Sequence, residues 1–135
     1  MGRIDDIFSA LRREGGKALM PFVCADHPAP GLTGPILGAM ERAGAAIAEV
    51  GIPFSDPIAD GPVIAAAMHK ALTAGSTPRR VFEEVAAARP ALSIGLVAMV
   101  SVSIVTRLGG PARFAGQARD AGFDGLIVPD CPLEE

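Results

Sequence analysis

Four short runs, residues 18–24, 46–50, 93–99 and 125–128, are apolar without alternating, and segments of helical period lie between them. This pattern constrains the fold more than any other property of the chain. A strand that is apolar on both sides has to be covered on both faces, which is the situation of parallel strands flanked by helices. The chain therefore reads as α/β, built of repeated strand–helix units. Ile4, Ile7, Phe8 and Leu11 form one stripe of a 3.6-residue period. Asp5 and Asp6 suit the positive end of that helix dipole, Arg12 and Arg13 suit the other end, and Gly15-Gly16 stops the helix. A second helix over 32–43 carries Leu32, Ile36, Met40 and Ala43 on one side. Pro62 suits the first turn of a helix through Leu72. Thr77-Pro78 reads as a cap and first turn, with Val81, Val85 and Ala88 facing inward and Pro90 closing that helix. A last helix, 111–121, ends at Gly122.

Two architectures accommodate such units, an open doubly wound sheet and a (β/α)8 barrel. No Gly-x-Gly-x-x-Gly follows a strand, which weakens the dinucleotide-binding form of the first. Ala43-Gly44 before a strand and Pro53 is echoed by Ala121-Gly122 before a strand and Pro129, a faint internal repeat. A complete barrel runs to about 250 residues, so a chain of 135 residues supplies about half of one. The expectation is that residues 1–135 are the N-terminal half of a single barrel domain, a truncated chain of about four β/α units preceded by a helix.

Composition removes several function classes. The net charge of −3 comes with no Lys/Arg cluster, which argues against a nucleic-acid surface. Cys24 and Cys131 lie far apart with no Cys or His at ligand spacing, so neither a disulfide framework nor a zinc site is expected, and no other metal. The simpler reading of both is as small buried apolar residues. The first residues lack an apolar leader segment, and no apolar run reaches membrane-spanning length. A soluble cytoplasmic protein is expected.

Chemistry concentrates after the second strand. Glu49 ends an apolar run and shares its side-chain parity with Ile47. An ionised carboxylate in such a wall is costly unless it is paired or kept partly neutral, and either a general acid/base or a structural ion pair fits. The loop from Gly51 to Pro62 follows, stiffened by prolines and carrying Asp56 and Asp60 beyond the strand's C-terminal end, where β/α enzymes place their sites. Taken alone, Asp60 reads as a cap for the helix at Pro62, and Asp56 as an Asp-Pro turn. His27 and His69 read as surface or satisfied side chains. Lys17 and Lys70 do not lie on strands, so a Schiff-base lysine is not apparent.

The stretch Glu49-Val50-Gly51-Ile52-Pro53-Phe54-Ser55-Asp56-Pro57-Ile58-Ala59-Asp60-Gly61-Pro62-Val63-Ile64 closely resembles the signature of tryptophan synthase alpha subunits. Pro21-Phe22-Val23, Ala43-Gly44 and Asp124-Gly125-Leu126-Ile127-Val128-Pro129-Asp130 agree with it. The resemblance selects the (β/α)8 barrel. It implies a lyase that cleaves indole-3-glycerol phosphate to indole and glyceraldehyde 3-phosphate in tryptophan biosynthesis. It assigns proton shuttling to Glu49, charge stabilisation near the indole N–H to Asp60, and the indole pocket to Phe22, Ile64 and Ile127. It implies no cofactor in this chain. The implied partner is a beta subunit carrying pyridoxal phosphate, in an alpha2-beta2 tetramer, docking over Pro53, Asp56, Pro57, Asp130 and Pro132. Where the family commonly has Tyr-Tyr-Asn-Pro after the third strand, this chain has Ser101-Val102-Ser103-Ile104, and it contains no Tyr or Trp. The family's phosphate grip lies in the half beyond these residues, so lyase activity is not expected of this chain alone. The competing reading is a non-catalytic module that docks on and activates a beta subunit, a role that would not need Glu49.

Overall fold

The computed structural model describes residues 2–58 and 60–132. Helix α1 (Arg3–Glu14) precedes β1 (Phe22–Cys24), α2 (Thr33–Arg42) and β2 (Ile47–Gly51). Next come α3 (Pro62–Thr73), α4 (Pro78–Ala88), a 3-10 turn (Arg89–Ala91) and β3 (Gly95–Met99). The order ends with α5 (Val102–Arg107), α6 (Pro111–Asp120) and β4 (Gly125–Ile127). The strands pair in parallel in the order β1-β2-β3-β4, so each strand lies beside the one before it in sequence.

The outer face of this sheet carries the main core. Val23, Ala48, Val50, Leu96, Ala98 and Val100 pack against Leu37 of α2, Val81 and Val85 of α4, and Phe114 and Ala118 of α6. Phe82 adds tilted ring contacts to Phe114 and Phe123, with centroids 5.6 and 6.0 Å apart. The inner face is covered at one end by α1. A Cβ at Gly95 would lie within 3.4 Å of Ile7 and Ile4 side-chain atoms, so the missing side chain lets α1 approach β3. Arg3 fastens α1 there by donating to the Ser93 carbonyl at 2.8 Å and pairing with Asp124 at 3.4 Å.

Several expected elements need correction. The run over 18–24 becomes strand only from Phe22, because Pro21 has no N–H to enter the ladder. The run over 93–99 becomes strand from Gly95, since the Ser93 N–H and hydroxyl both donate to Glu41. The fourth strand ends at Ile127, one residue short of expectation. In α2 the buried positions are Thr33 and Leu37, with Ile36 and Met40 partly buried, whereas Leu32 and Ala43 are exposed. Thr33 is drawn inward because its hydroxyl accepts from the Asp26 N–H at 3.1 Å. Helix α5 was not foreseen. The repeat of Ala-Gly before a strand corresponds to one recurring helix end. Gly44 (φ 94°) and Gly122 (φ 96°) are left-handed, and the residues after them, Ala45 and Phe123, donate back to Met40 and Ala118. This is the Schellman closure, which needs a residue without a Cβ at that point.

Candidate functional site

Strand register sets the floor of the site. Phe22, Glu49, Val97 and Gly125 pair across β1–β4 in one row, and Cys24, Gly51, Met99 and Ile127 form the next row toward the strands' C-terminal ends. Paired residues of parallel strands point to the same side, and this parity is shared by buried Ile47, which lies over α1. Glu49 therefore projects from the inner face between Phe22 and Val97, and it is half-buried. No ion pair involves Glu49 among the described residues, which disfavours the structural-pair reading. Gly51 holds the geometry of the neighbouring ring. A Cβ there would lie 2.5 Å from Phe22 Cζ, so the phenyl leans over Gly51 only because that position has no side chain.

Helix α3 lies over the β1 end of this face. Ala67, Met68 and Ala71 pack with Cys24, and Phe22, Phe54 and Ile64 join them. Phe22 and Ile64 are thus brought together, while Ile127 lies three strands from Cys24, half-buried on β4. Burial, then the nearby charges of Asp26 and Asp60, pushes the Cys24 thiol up to about 11.

Asp60 is half-buried and lines a cleft beyond the strand ends together with Asp56, Met99, Ser101, Pro129 and Asp130. It does not cap α3, whose N-cap is Gly61 without a side-chain bond. The cleft holds about 30 Å³, room for a water and not for a bicyclic ligand. Asp56 is exposed in a tight turn, where the Ile58 N–H donates to the Asp56 carbonyl at 2.8 Å and Ser55 Oγ donates to its carboxylate at 2.6 Å. Among the positions expected on a partner face, Asp56 and Pro132 are exposed, Pro57 and Asp130 half-buried, and Pro53 buried. Burial of Pro53 leaves it shaping the loop and offering no contact surface itself.

Asp130 has work of its own. Ser101 Oγ donates to one of its carboxylate oxygens at 2.7 Å and the Val102 N–H to the other at 2.8 Å. Burial pushes its pKa up, but the hydrogen bonds from Ser101 and Val102 outweigh that and hold the carboxyl below its usual range. Ser101 also accepts from the Ser103 N–H at 3.2 Å and so caps α5. The departure at Ser101-Val102-Ser103 therefore builds a capped helix tied to the β4 loop. The signal in the sequence was a Ser ahead of a short apolar segment, which is a cap pattern. A second unforeseen cluster lies behind β1. Asp26, with φ 58° and its carboxylate wholly buried, faces Arg80 Nε at 3.8 Å, and its oxygens accept no hydrogen bond among the described residues. His27 Nδ1 is buried and unpartnered beside it, contrary to the satisfied or surface histidine expected there, whereas His69 is exposed. Among the described residues no group of His, Cys, Asp or Glu side chains has the arrangement of a metal site, and no helix is long and apolar enough to cross a membrane.

A family model described as Tryptophan synthase alpha chain matches residues 8–135. The chain belongs to that family. The tryptophan synthase alpha chain of Synechococcus sp. (strain CC9902) is 46% identical over 128 residues, covering 95% of this chain and 47% of that protein. The alpha chain of Laribacter hongkongensis (strain HLHK9) is 45% identical over 135 residues, covering 100% of this chain and 51% of that one. The solved structure of tryptophan synthase subunit alpha from Legionella pneumophila str. Paris superposes with a TM-score of 0.95 at 37% identity, covering 100% of this chain and 52% of that one. The chain thus spans about half the length of the tryptophan synthase alpha chains it matches. Its parallel sheet and helices are about four units of their (β/α)8 barrel, with no helix after β4 among the described residues.

Proposed function

We propose that this chain supplies the acid/base half of a tryptophan synthase alpha site, for cleavage of indole-3-glycerol phosphate to indole and glyceraldehyde 3-phosphate. The observation that supports it best is the placement of two carboxyl groups in different surroundings. Glu49 projects from the sheet floor beside the Phe22 ring, and Asp60 stands beyond the strand ends. Cleavage requires a proton on the indole carbon that leaves and loss of a proton from the glycerol hydroxyl that becomes an aldehyde. Glu49 is suited to both transfers, as one group that gives and then takes. Protonation at carbon places positive charge on the ring nitrogen, and Asp60 is suited to stabilise it electrostatically. Phe22, Ile64 and Ile127 supply the apolar walls for the ring.

In this reading residues 1–135 are one half of a single barrel domain, and the phosphate grip belongs to the other half. The chain itself takes no cofactor; pyridoxal phosphate belongs to a beta subunit, docked over the loop with Asp56 and Pro57 and over Pro132. The setting is the cytoplasm, and the assembly an alpha2-beta2 tetramer.

The test is complementation. Indole release from indole-3-glycerol phosphate is measured with the 135-residue chain alone and after mixing with the C-terminal half of the Legionella pneumophila alpha subunit. Activity should appear only on mixing. A mixed complex that forms but releases no indole would overturn the reading.

A further inference from the structure

The segment between β1 and α2 is fastened at both ends by helix α4. Asp26 follows β1 closely and takes a left-handed conformation, φ 58°, which a residue with a side chain keeps only where its surroundings over-determine it. Its N–H donates to Thr33 Oγ1 at 3.1 Å, at the start of α2. Its carboxylate is wholly enclosed, and Arg80 Nε faces it at 3.8 Å. At the far end of the segment the Gly31 N–H donates to Glu84 Oε1 at 2.8 Å, and the same Arg80 Nε lies 3.6 Å from that oxygen. Arg80 and Glu84 stand one turn apart on α4 and so share a helix face. One guanidinium thus joins two carboxylates, one at each end of the segment.

We propose that Arg80 is a positioning residue for the site on the inner face: it neutralises the buried Asp26 carboxylate and so holds the end of β1, which carries Phe22, in the place the ring pocket requires. Charge comes first. The Asp26 side chain has no exposure to water and that of Arg80 has 42%, so the acid depends on its partner far more than the partner on the acid. A buried carboxylate without its cation must take up a proton or draw its backbone toward water. Enclosed as it is, Asp26 takes its counter-charge from α4 and from nothing outside these elements. The backbone carries the effect onward. Ala25, beside Asp26, donates its N–H to the Gly51 carbonyl at 3.0 Å, and a Cβ at Gly51 would lie 2.5 Å from Phe22 Cζ. A shift of Asp26 therefore passes through one residue to the strand contact over which the Phe22 ring leans.

The kinetic part of this inference rests on the lyase reading and the structural part does not, so both are measured. Hydrogen exchange of residues 25–32 is followed by mass spectrometry in the 135-residue chain mixed with the C-terminal half of the Legionella pneumophila alpha subunit, and indole release is followed in the same mixture. Arg80→Met should speed exchange of residues 25–32 about tenfold while β3 exchanges as before. It should raise KM about tenfold with kcat nearly constant, as loss of uniform binding does. Arg80→Lys keeps the charge and should restore both readouts most of the way. Asp26→Asn combined with Arg80→Met leaves no charge to bury, and Asn tolerates a left-handed backbone, so this pair should also return toward wild type. The pair decides the matter if Arg80→Met alone does not fold. Unchanged exchange in Arg80→Met, or a double variant as loose as Arg80→Met, would overturn the proposal. So would a fall in kcat with KM held. Exchange as expected in mixtures that release no indole would strike the lyase reading and support the clasp.

Discussion

Glu49 and Asp60 differ in what surrounds them, and the two variants should differ accordingly. Glu49→Gln removes the group that carries protons and should lower the rate of the complemented enzyme by about 10²–10⁴-fold. Asp60→Asn removes charge but keeps an oxygen that can accept from an indole N–H, so more activity should survive. Single-turnover indole release from both variants checks the order, and the reverse order would exchange the two roles. Cys24 offers a readout that needs no substrate. Its thiol, raised to about 11 by burial and then by Asp26 and Asp60, holds almost no thiolate near neutrality, and the thiolate is the reactive form. Iodoacetamide at mildly alkaline pH should label half-buried Cys131 and spare Cys24 until the chain is unfolded in urea. Mass mapping that finds Cys24 modified as fast as Cys131 would contradict this burial. At this scale the stretch that resembles the family signature showed where side chains gather: Phe22 and Glu49 share a row of the inner face, Ile64 packs with Phe22, and Asp60 lines the cleft beyond the strand ends. It was not legible where a role depends on a partner far along the chain. Asp26 meets Arg80, and Asp130 meets Ser101, and no local pattern announces either meeting.

Helix ends and strand starts show how local chemistry became elements. Thr77 accepts from the Arg80 N–H at 3.2 Å and Pro78 occupies the first turn of α4, as the Thr-Pro pair implied. Strand lengths were overread because an apolar run says what is buried and nothing about which amides are paired. Residues 18–21 are outside any strand although the Leu19 carbonyl accepts from the Ala46 N–H at 3.2 Å, and the ladder begins only after Pro21. Helix α5 went unseen because six residues give too short a period to read. Its stability rests on Ser101 and Asp130, and that makes a prediction. Asp130→Asn should cost about 1 kcal/mol, the usual order for a helix cap. Because the folded carboxyl titrates below its ordinary range, its contribution is complete above the unfolded value of about pH 4 and disappears as pH falls through the lower folded value. Urea unfolding at fixed protein concentration should therefore separate wild type from Asp130→Asn at pH 7 and bring them together toward pH 2. A constant separation would mean that the carboxylate charge is not what holds α5.

As a whole, the molecule presents one furnished face. The strand ends carry the cleft of Asp60, Asp130 and Ser101, and the exposed Asp56 turn stands on its rim. In the complemented enzyme a beta subunit docked there should lose hold when the rim charge is inverted. Asp56→Lys should weaken co-precipitation with the beta subunit while the Glu49-dependent chemistry persists, and undiminished capture would move the docking surface elsewhere. The order of the sheet has a consequence of another kind. Since every strand sits beside its immediate predecessor, the chain can assemble in the order in which a ribosome delivers it. β1 waits only for β2, and each later strand arrives to find its docking site already built. Each strand pairing closes over a single strand–helix connection, the longest of them, from β2 to β3, carrying both α3 and α4, and the cost of closing a loop grows only slowly with its length. Only α1 has to wait, since Arg3 and Ile4 find Ser93 and Gly95 once β3 has arrived.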